Sequence, residues 1–298
     1  MRVVVTGRAG QLARSMAERG PVRGIEIVPV GRPEIDLSTD VSMVDQFRVL
    51  RPDAIVNAAA YTAVDKAESE DAAAHAVNAT GAGRVAEAAG QIGVPVIQIS
   101  TDYVFDGTGK VPYTESDAPA PMSAYGRSKL AGEHLVARVP NHAILRTAWV
   151  YSPFGSNFVR TMLRLAADRD VVRVVADQVG SPSSALDLAD GVLRVCENLC
   201  ANPDDRSLRG VFHLAALGEA SWADVAEATF DISDRLGGPS ARVERITTDA
   251  YPTPARRPAN SRLDTGKIAR VHHVQLQPWR EALADCLERL LAEKGKSS

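Results

Sequence analysis

A threonine hydroxyl, a tyrosine phenol and a lysine ammonium occur in this sequence at a spacing that suits acid–base chemistry. Ser100-Thr101-Asp102-Tyr103 closes an apolar run, and Tyr125-Gly126-Arg127-Ser128-Lys129 follows one loop later. From Tyr125 to Val139 the placing of Leu130, His134, Leu135 and Arg138 fits a helix. Residues four apart on a helix share a face, so the phenol and the ammonium point the same way. A phenol with a pKa near ~10 is a poor acid–base catalyst at neutral pH, but a cation beside it favours phenolate and moves it toward the working range. Lys129 supplies that cation. Taken alone, Tyr-x-x-x-Lys is a common exposed pair on a helix, and its meaning depends on the elements that position it.

The run Val94–Ile99 reads as a buried parallel strand. Thr101 therefore stands just past a carboxyl end, where open α/β sheets bind ligands. The chain opens in the same idiom: strand Val3–Thr6, then Gly7-Arg8-Ala9-Gly10-Gln11-Leu12-Ala13 as a turn and helix start. Gly7 permits a tight turn and Gly10 lets backbone amides approach a pyrophosphate, which the helix end at Gln11 and Leu12 favours electrostatically. Ala13 takes the place of a third glycine. The second strand, Ile25–Val30, ends at Gly31-Arg32 instead of an acidic residue, so Arg32, with Arg8 as a second candidate, is placed to meet a 2′-phosphate. That favours NADPH, with NADH the other option. Asp36 is a candidate acceptor for an adenine amino group and Leu37 a packing partner for its ring, while Ser38, Thr39 or Asp40 can cap the next helix. After the strand Pro52–Asn57, the small side chains of Ala58 and Ala59 let a flat cofactor lie against backbone, and Tyr61 begins a polar helical connection beside it.

Past the strand Ile144–Thr147, Trp149 and Tyr151 suit a rigid aromatic wall against a sugar or base. Asn157 precedes an amphipathic helix, and in the extended segment from Arg256 to Asp264 the guanidinium groups of Arg257 and Arg262 suit a diphosphate. These features predict an α/β fold: a doubly wound parallel (Rossmann) sheet, with a dinucleotide-binding domain over residues 1–152. Residues 153–298 are expected to form mainly a smaller, interleaved C-terminal substrate lobe, with some segments returning to the main domain.

At 298 residues and 45% hydrophobic content the chain can bury a large core. A net charge of −3 without blocks of like charge argues against nucleic acid or an anionic membrane as partner. Three cysteines, Cys196, Cys200 and Cys286, do not make a disulfide framework, and none has partners at ligand spacing, so no metal is expected. With a strand directly at Arg2 and no run approaching ~18 apolar residues, the cytoplasm is the expected compartment.

In combination, Thr6–Leu12, Asn57–Glu68, Ser100–Gly107, Tyr125–Lys129, Arg146–Ser152, Asp177–Pro182 and Arg257–Asp264 resemble the extended short-chain dehydrogenase/reductase superfamily. Within it they resemble the branch that makes dTDP-rhamnose. The resemblance runs nearly the whole length. It implies NADPH-dependent reduction of the C4 ketone of dTDP-4-dehydro-L-rhamnose, with Thr101, Tyr125 and Lys129 as the catalytic set. It also implies a nucleotide-sugar bound near Thr101, Asp102, Tyr103, Trp149, Asn157 and Arg257. Some members carry a glutamate for a magnesium-linked dimer shortly after the glycine turn; here Arg14-Ser15 stands instead, so a monomer or weak homodimer is expected. Other readings are a different nucleotide-sugar 4-ketoreductase or epimerase, or a regulatory subunit like that of methionine adenosyltransferase. A dehydratase would need Asp-Glu where this chain has Asp102-Tyr103.

Overall fold

The computed structural model describes residues 1–39 and 42–295. Its first half runs β1 (Arg2–Thr6), α1 (Gln11–Val22), β2 (Glu26–Val30), α2 (Val44–Leu50), β3 (Ala54–Asn57), α3 (Val64–Ala67), α4 (Asp71–His75), α5 (Ala82–Ile92), β4 (Val96–Thr101), α6 (Ala124–Val136) and β5 (His142–Thr147). The second half holds β6 (Val150–Tyr151), α7 (Phe158–Ala166), β7 (Val171–Val175), β8 (Val179–Gly180), β9 (Ser183–Ser184), α8 (Ala185–Ala201) and β10 (Gly210–His213). It continues with β11 (Ala220–Ser221), α9 (Trp222–Arg235), β12 (Arg242–Ile246), β13 (Asn260–Ser261), α10 (Gly266–His272) and α11 (Trp279–Gly295).

Successive side chains of a strand face opposite sides of its sheet, so a strand covered on both sides must be apolar at every position. β1 meets this demand. Val3 and Val5 pack with Met16 of α1 and Leu188 and Val192 of α8, whereas Val4 packs with Phe47 of α2 and Val85 of α5. The result is a six-stranded parallel sheet in the order β10-β5-β4-β3-β1-β2, with helices on both faces. The chain leaves β1 for β2 on one side and returns for β3 on the other, so the strand order reverses between β1 and β3. A crevice for a ligand opens at the carboxyl ends on either side of such a reversal. Buried side chains tie these ends together: Thr6 Oγ1 donates to Asn57 Oδ1 (2.6 Å), and Asn57 Nδ2 donates to Gln98 Oε1 (2.7 Å).

The C-terminal half serves two bodies. α8 covers one face of the main sheet and β10 extends its edge, while β7 pairs in parallel with β12 beneath α7 and α9. Val159, Leu163, Val225, Leu283 and Leu287 bind α7, α9 and α11 into a second apolar cluster above the crevice. Ser38 and Thr39 do not cap α2, which starts at Val44; Ser38 donates instead to Asp36 Oδ1 from both its backbone N (2.9 Å) and its Oγ (2.7 Å). Asp40 lies outside the described residues. Among the described residues, no helix is long and apolar enough to cross a membrane.

Candidate active site

One cleft of about 1290 Å³ opens over the reversal point. It is lined by Gly7, Gly10, Gln11, Leu12, Arg32, Asp36, Leu37, Ala58, Ala59 and Tyr61 along one limb. Thr101, Asp102, Tyr103, Tyr125, Lys129, Trp149 and Arg257 line the other. Of the ligand-site candidates singled out in the sequence, Asn157 and Arg262 are not in this lining. The Asn157 side chain caps α7, with Oδ1 accepting from Arg160 N (3.1 Å), and its amide donates to Gln11 Oε1 (2.9 Å) and to the Ser152 carbonyl (2.8 Å). Arg262 is likewise spent on structure. It is paired with Glu219 (2.9 Å) and donates to the Lys110 carbonyl (2.8 Å), outside the cleft lining.

The first limb has the shape a dinucleotide requires. Gly7 holds φ +86°, a conformation that side chains rarely adopt, and a Cβ there would lie 3.1 Å from Ala59 Cα. The turn can therefore sit close on β3 only with glycine. Gly10 is the N-cap of α1 and brings no side chain to it, so the first amides of a twelve-residue helix stay open toward the cleft. Arg32 is exposed at the far end, and Arg8 is paired with Glu34 (2.7 Å). Asp36 is partly committed to its own turn with Ser38, while Leu37 is buried with Val4 and Phe47. These features fit an adenine dinucleotide: an anion-favouring helix end, a small-residue floor at Ala58 and Ala59, and a cation at the ribose end.

The second limb is built by β4 and α6. Ser123 caps α6 by accepting from Gly126 N (3.1 Å), which fixes the first turn that carries Tyr125. Gly126 is needed for closeness, because a Cβ there would sit 2.2 Å from the Tyr103 carbonyl oxygen. Tyr125 meets the edge of Tyr103, with ring centroids 5.5 Å apart. Thr101 Oγ1 donates to Asp102 Oδ1 (3.0 Å) and accepts from Tyr103 N (3.2 Å). Lys129 is buried, and its Nζ donates to the Ile99 carbonyl (2.7 Å). One turn further along α6, Glu133 accepts from Ser100 Oγ and pairs with Arg146 (2.6 Å) beneath the site.

Burial governs the electrostatics here. It pushes the Lys129 ammonium down to about 8, with Glu133 opposing, and lifts the Asp102 carboxyl to about 6 against its hydrogen bonds. The Tyr125 phenol is raised, first by burial and then by the Asp102 charge, while a bond with Thr101 works the other way. The expected lowering of Tyr125 by Lys129 is therefore not what this arrangement produces; removal of the phenol from water dominates, and the Asp102 charge adds to it. Among the described residues, Asp102 Oδ2 is buried without a hydrogen-bond partner. The Ser261 hydroxyl, likewise buried and without another partner, acts on the same carboxyl and draws its pKa down against burial.

Two further walls enclose the outer end. Trp149 holds φ +49° and stacks on Trp222 at 3.6 Å between centroids, with Phe158 leaning on Trp222 at 4.6 Å. Opposite, Arg257 donates to Tyr103 Oη (2.9 Å) and pairs with Asp65 (2.7 Å). Trp222 and Asn78 are the residues that sequence reasoning missed. Trp222 lines the cleft from the first position of α9, directly after the N-cap Ser221. Asn78 lies in a π-helical turn, Ala76–Gly81, between α4 and α5. It binds both backbone groups of Tyr61 (2.8 and 3.1 Å) and Ser128 Oγ (3.0 Å), joining the cofactor floor to α6. In sequence it is one of several polar residues in a helical stretch that also carries His75 and Arg84, and nothing there sets it apart. Among the described residues, no group of three or more His, Cys, Asp or Glu is placed to hold a metal ion.

Known proteins share this architecture and sequence. The model of the RmlD substrate binding domain matches residues 1–292. The chain is 49% identical over 295 residues to the dTDP-4-dehydrorhamnose reductase of Sinorhizobium fredii, covering 98% of this chain and 99% of that one. It is 43% identical over 288 residues to the enzyme of that name from Salmonella typhimurium, covering 94% of each. Among solved structures, a dTDP-4-dehydrorhamnose reductase from Clostridium acetobutylicum superposes with a TM-score of 0.88 at 36% identity, over 97% of this chain and 99% of that chain. One from Bacillus anthracis, solved in complex with NADP, superposes with a TM-score of 0.87 at 34% identity, over 98% and 99%.

Proposed function

The chain belongs to the RmlD substrate binding domain family, and from that premise we propose how its own residues carry out the reaction for which its relatives are named. It is an NADPH-dependent reductase of the C4 ketone of dTDP-4-dehydro-L-rhamnose, yielding dTDP-L-rhamnose. The observation that carries the residue assignment is the convergence of Thr101, Tyr125 and Lys129 in the cleft that also contains the open end of α1.

The Gln11 and Leu12 amides at the open end of α1 would receive the pyrophosphate of NADPH, with Gly7 and Gly10 allowing its close approach; the Gly10 amide itself closes the turn on the Gly7 carbonyl (2.7 Å). Ala58, Ala59 and Tyr61 form the floor, with Asp36 and Leu37 at the adenine and Arg32 at the 2′-phosphate. NADPH, when bound, supplies the hydride. Tyr125 Oη holds the proton destined for the ketone oxygen, and its raised pKa keeps that proton in place until the oxygen becomes basic. Thr101 orients the same oxygen once its hydroxyl hydrogen turns away from Asp102. Lys129 has three donors, one of them taken by Ile99. The others suit the nicotinamide ribose, and the ammonium charge steadies the phenolate left on Tyr125. Arg257 faces the diphosphate, Asp102 and Tyr103 the sugar, and Trp149 the sugar or base; Asn157 acts by holding the loop that leads into α7.

We place the protein in the cytoplasm, as a monomer or weak homodimer. Supporting this, its three cysteines are free, and Arg14 packs over Phe154 of its own chain, 4.4 Å from the ring centroid. The direct test of the activity mixes the protein with NADPH and dTDP-4-dehydro-L-rhamnose and follows the absorbance of reduced nicotinamide. Loss of that absorbance only when the keto-sugar is present is expected; no sugar-dependent loss would contradict the assignment.

A further inference from the structure

The loop between β6 and α7 carries Gly155 and Ser156 into the outer limb of the cleft, and Phe158 follows at the start of α7. What holds this loop is the first turn of α1, the same turn that presents amides to the dinucleotide limb. Gln11 Oε1 accepts from Ser152 Oγ (2.7 Å) and from Asn157 Nδ2 (2.9 Å), so one side-chain oxygen ties together the two ends of the loop. The middle is gripped too. Phe154 lies between the guanidinium of Arg14, also from α1, and that of Arg289 from α11, at 4.4 and 4.9 Å from its ring centroid. The side chain of Gln11 is half-buried, and its backbone stands directly after Gly10. One residue thus belongs to both limbs.

We propose that Gln11 is a positioning residue that couples the two ligands: through its side chain, order imposed on the α1 turn by the dinucleotide is passed to the loop 152–157 that shapes the nucleotide-sugar subsite. The proposal rests on the reading of the cleft given above. A ligand that favours the anchored loop strengthens any other ligand that favours it, and the effect is reciprocal. The dinucleotide steadies the turn from which the Gln11 side chain projects; the nucleotide-sugar uses the loop that this side chain holds. Once Gln11 is removed the single Ser152 hydroxyl hydrogen can turn to the Phe154 carbonyl (2.9 Å), its alternative acceptor, and Asn157 keeps the Ser152 and Phe154 carbonyls (2.8 and 3.3 Å), so loss of Gln11 loosens the loop from α1 without unfolding it.

The test is a titration of dTDP into the full chain with and without saturating NADP⁺, for the parent, Gln11→Leu and Gln11→Ala. Leucine keeps the volume and removes the acceptor, and alanine removes both. Thermal melts confirm that each variant is folded. In the parent, NADP⁺ is expected to tighten dTDP by roughly 5-fold or more. In both variants that ratio should fall below about 2-fold, because the anchoring bonds are gone. A merely structural role would weaken both ligands and leave the ratio unchanged, and that result overturns the proposal, as does a parent that binds both ligands independently. A parent that binds neither ligand would instead count against the reading of the cleft, which separates the two failures.

Discussion

Lys129 and Tyr125 stand on one face of α6, as their spacing requires, yet burial has moved their ionisations away from the values the pair suggests in sequence. The ammonium is pushed down to about 8 and the phenol is raised. If the reaction needs Lys129 as a cation, kcat/KM should decline as pH rises through about 8, since a group with that pKa is charged below it and neutral above it. A pH–rate profile flat well past this point would remove the charge requirement. The charged group that bears on Lys129 is Glu133 on its own helix, which opposes the effect of burial and is itself paired with Arg146. Lys129→Met should weaken NADPH binding measurably more than Tyr125→Phe, because the lysine has a ribose contact to lose; equal affinities would refute that contact. Arg32→Ala is expected to weaken NADPH by about 10- to 100-fold and NADH much less, as follows from charge-assisted bonds worth ~1.5–3 kcal/mol. Parallel losses for the two cofactors would make Arg32 a surface residue.

At the scale of elements, the strands and the two helix starts that carry chemistry were legible because they obey local rules. A strand apolar at every position is buried on both faces, and glycines after β1 mark a turn against backbone. Gly126 shows how local the requirement is: its missing Cβ lets α6 approach the Tyr103 carbonyl, and Gly126→Ala should lower both activity and melting temperature by displacing that first turn. Unchanged melting and turnover would mean the helix yields without cost. What could not be read were features set by contacts distant in sequence. The π-helical turn at Ala76–Gly81 places Asn78 between Tyr61 and Ser128, and no periodicity announces it. Trp222 enters the cleft because α9 packs on α7, bringing it against Trp149, some seventy residues away in sequence. An aromatic pair is worth ~0.5–1.5 kcal/mol beyond its buried area, so Trp222→Ala should weaken dTDP by about 2- to 10-fold with little change for NADP⁺. Equal losses for both would show that it only supports the fold.

Across the whole molecule, the sheet places the glycine turn and Thr101 at strand ends, where α6 brings Tyr125, and Thr6, Asn57 and Gln98 tie β1, β3 and β4 together, while the second cluster closes over them. The C-terminal half enters both bodies, since β10 and α8 complete the main sheet while α7, α9 and α11 cover the cleft. The parallel pairing of β10 with β5 was beyond the sequence, because a short run such as Val211–Leu214 carries no information about which strand it will join. The claim that unites these scales is hydride delivery to C4 of a nucleotide-linked keto-sugar in one interlobe cleft. Its most direct measurement uses NADPH deuterated at the transferable position, with the dTDP-sugar product read by NMR. The account predicts dTDP-L-rhamnose carrying a single deuteron on C4 in one configuration. Product without deuterium at C4, or with exchange at neighbouring carbons in its place, would contradict it.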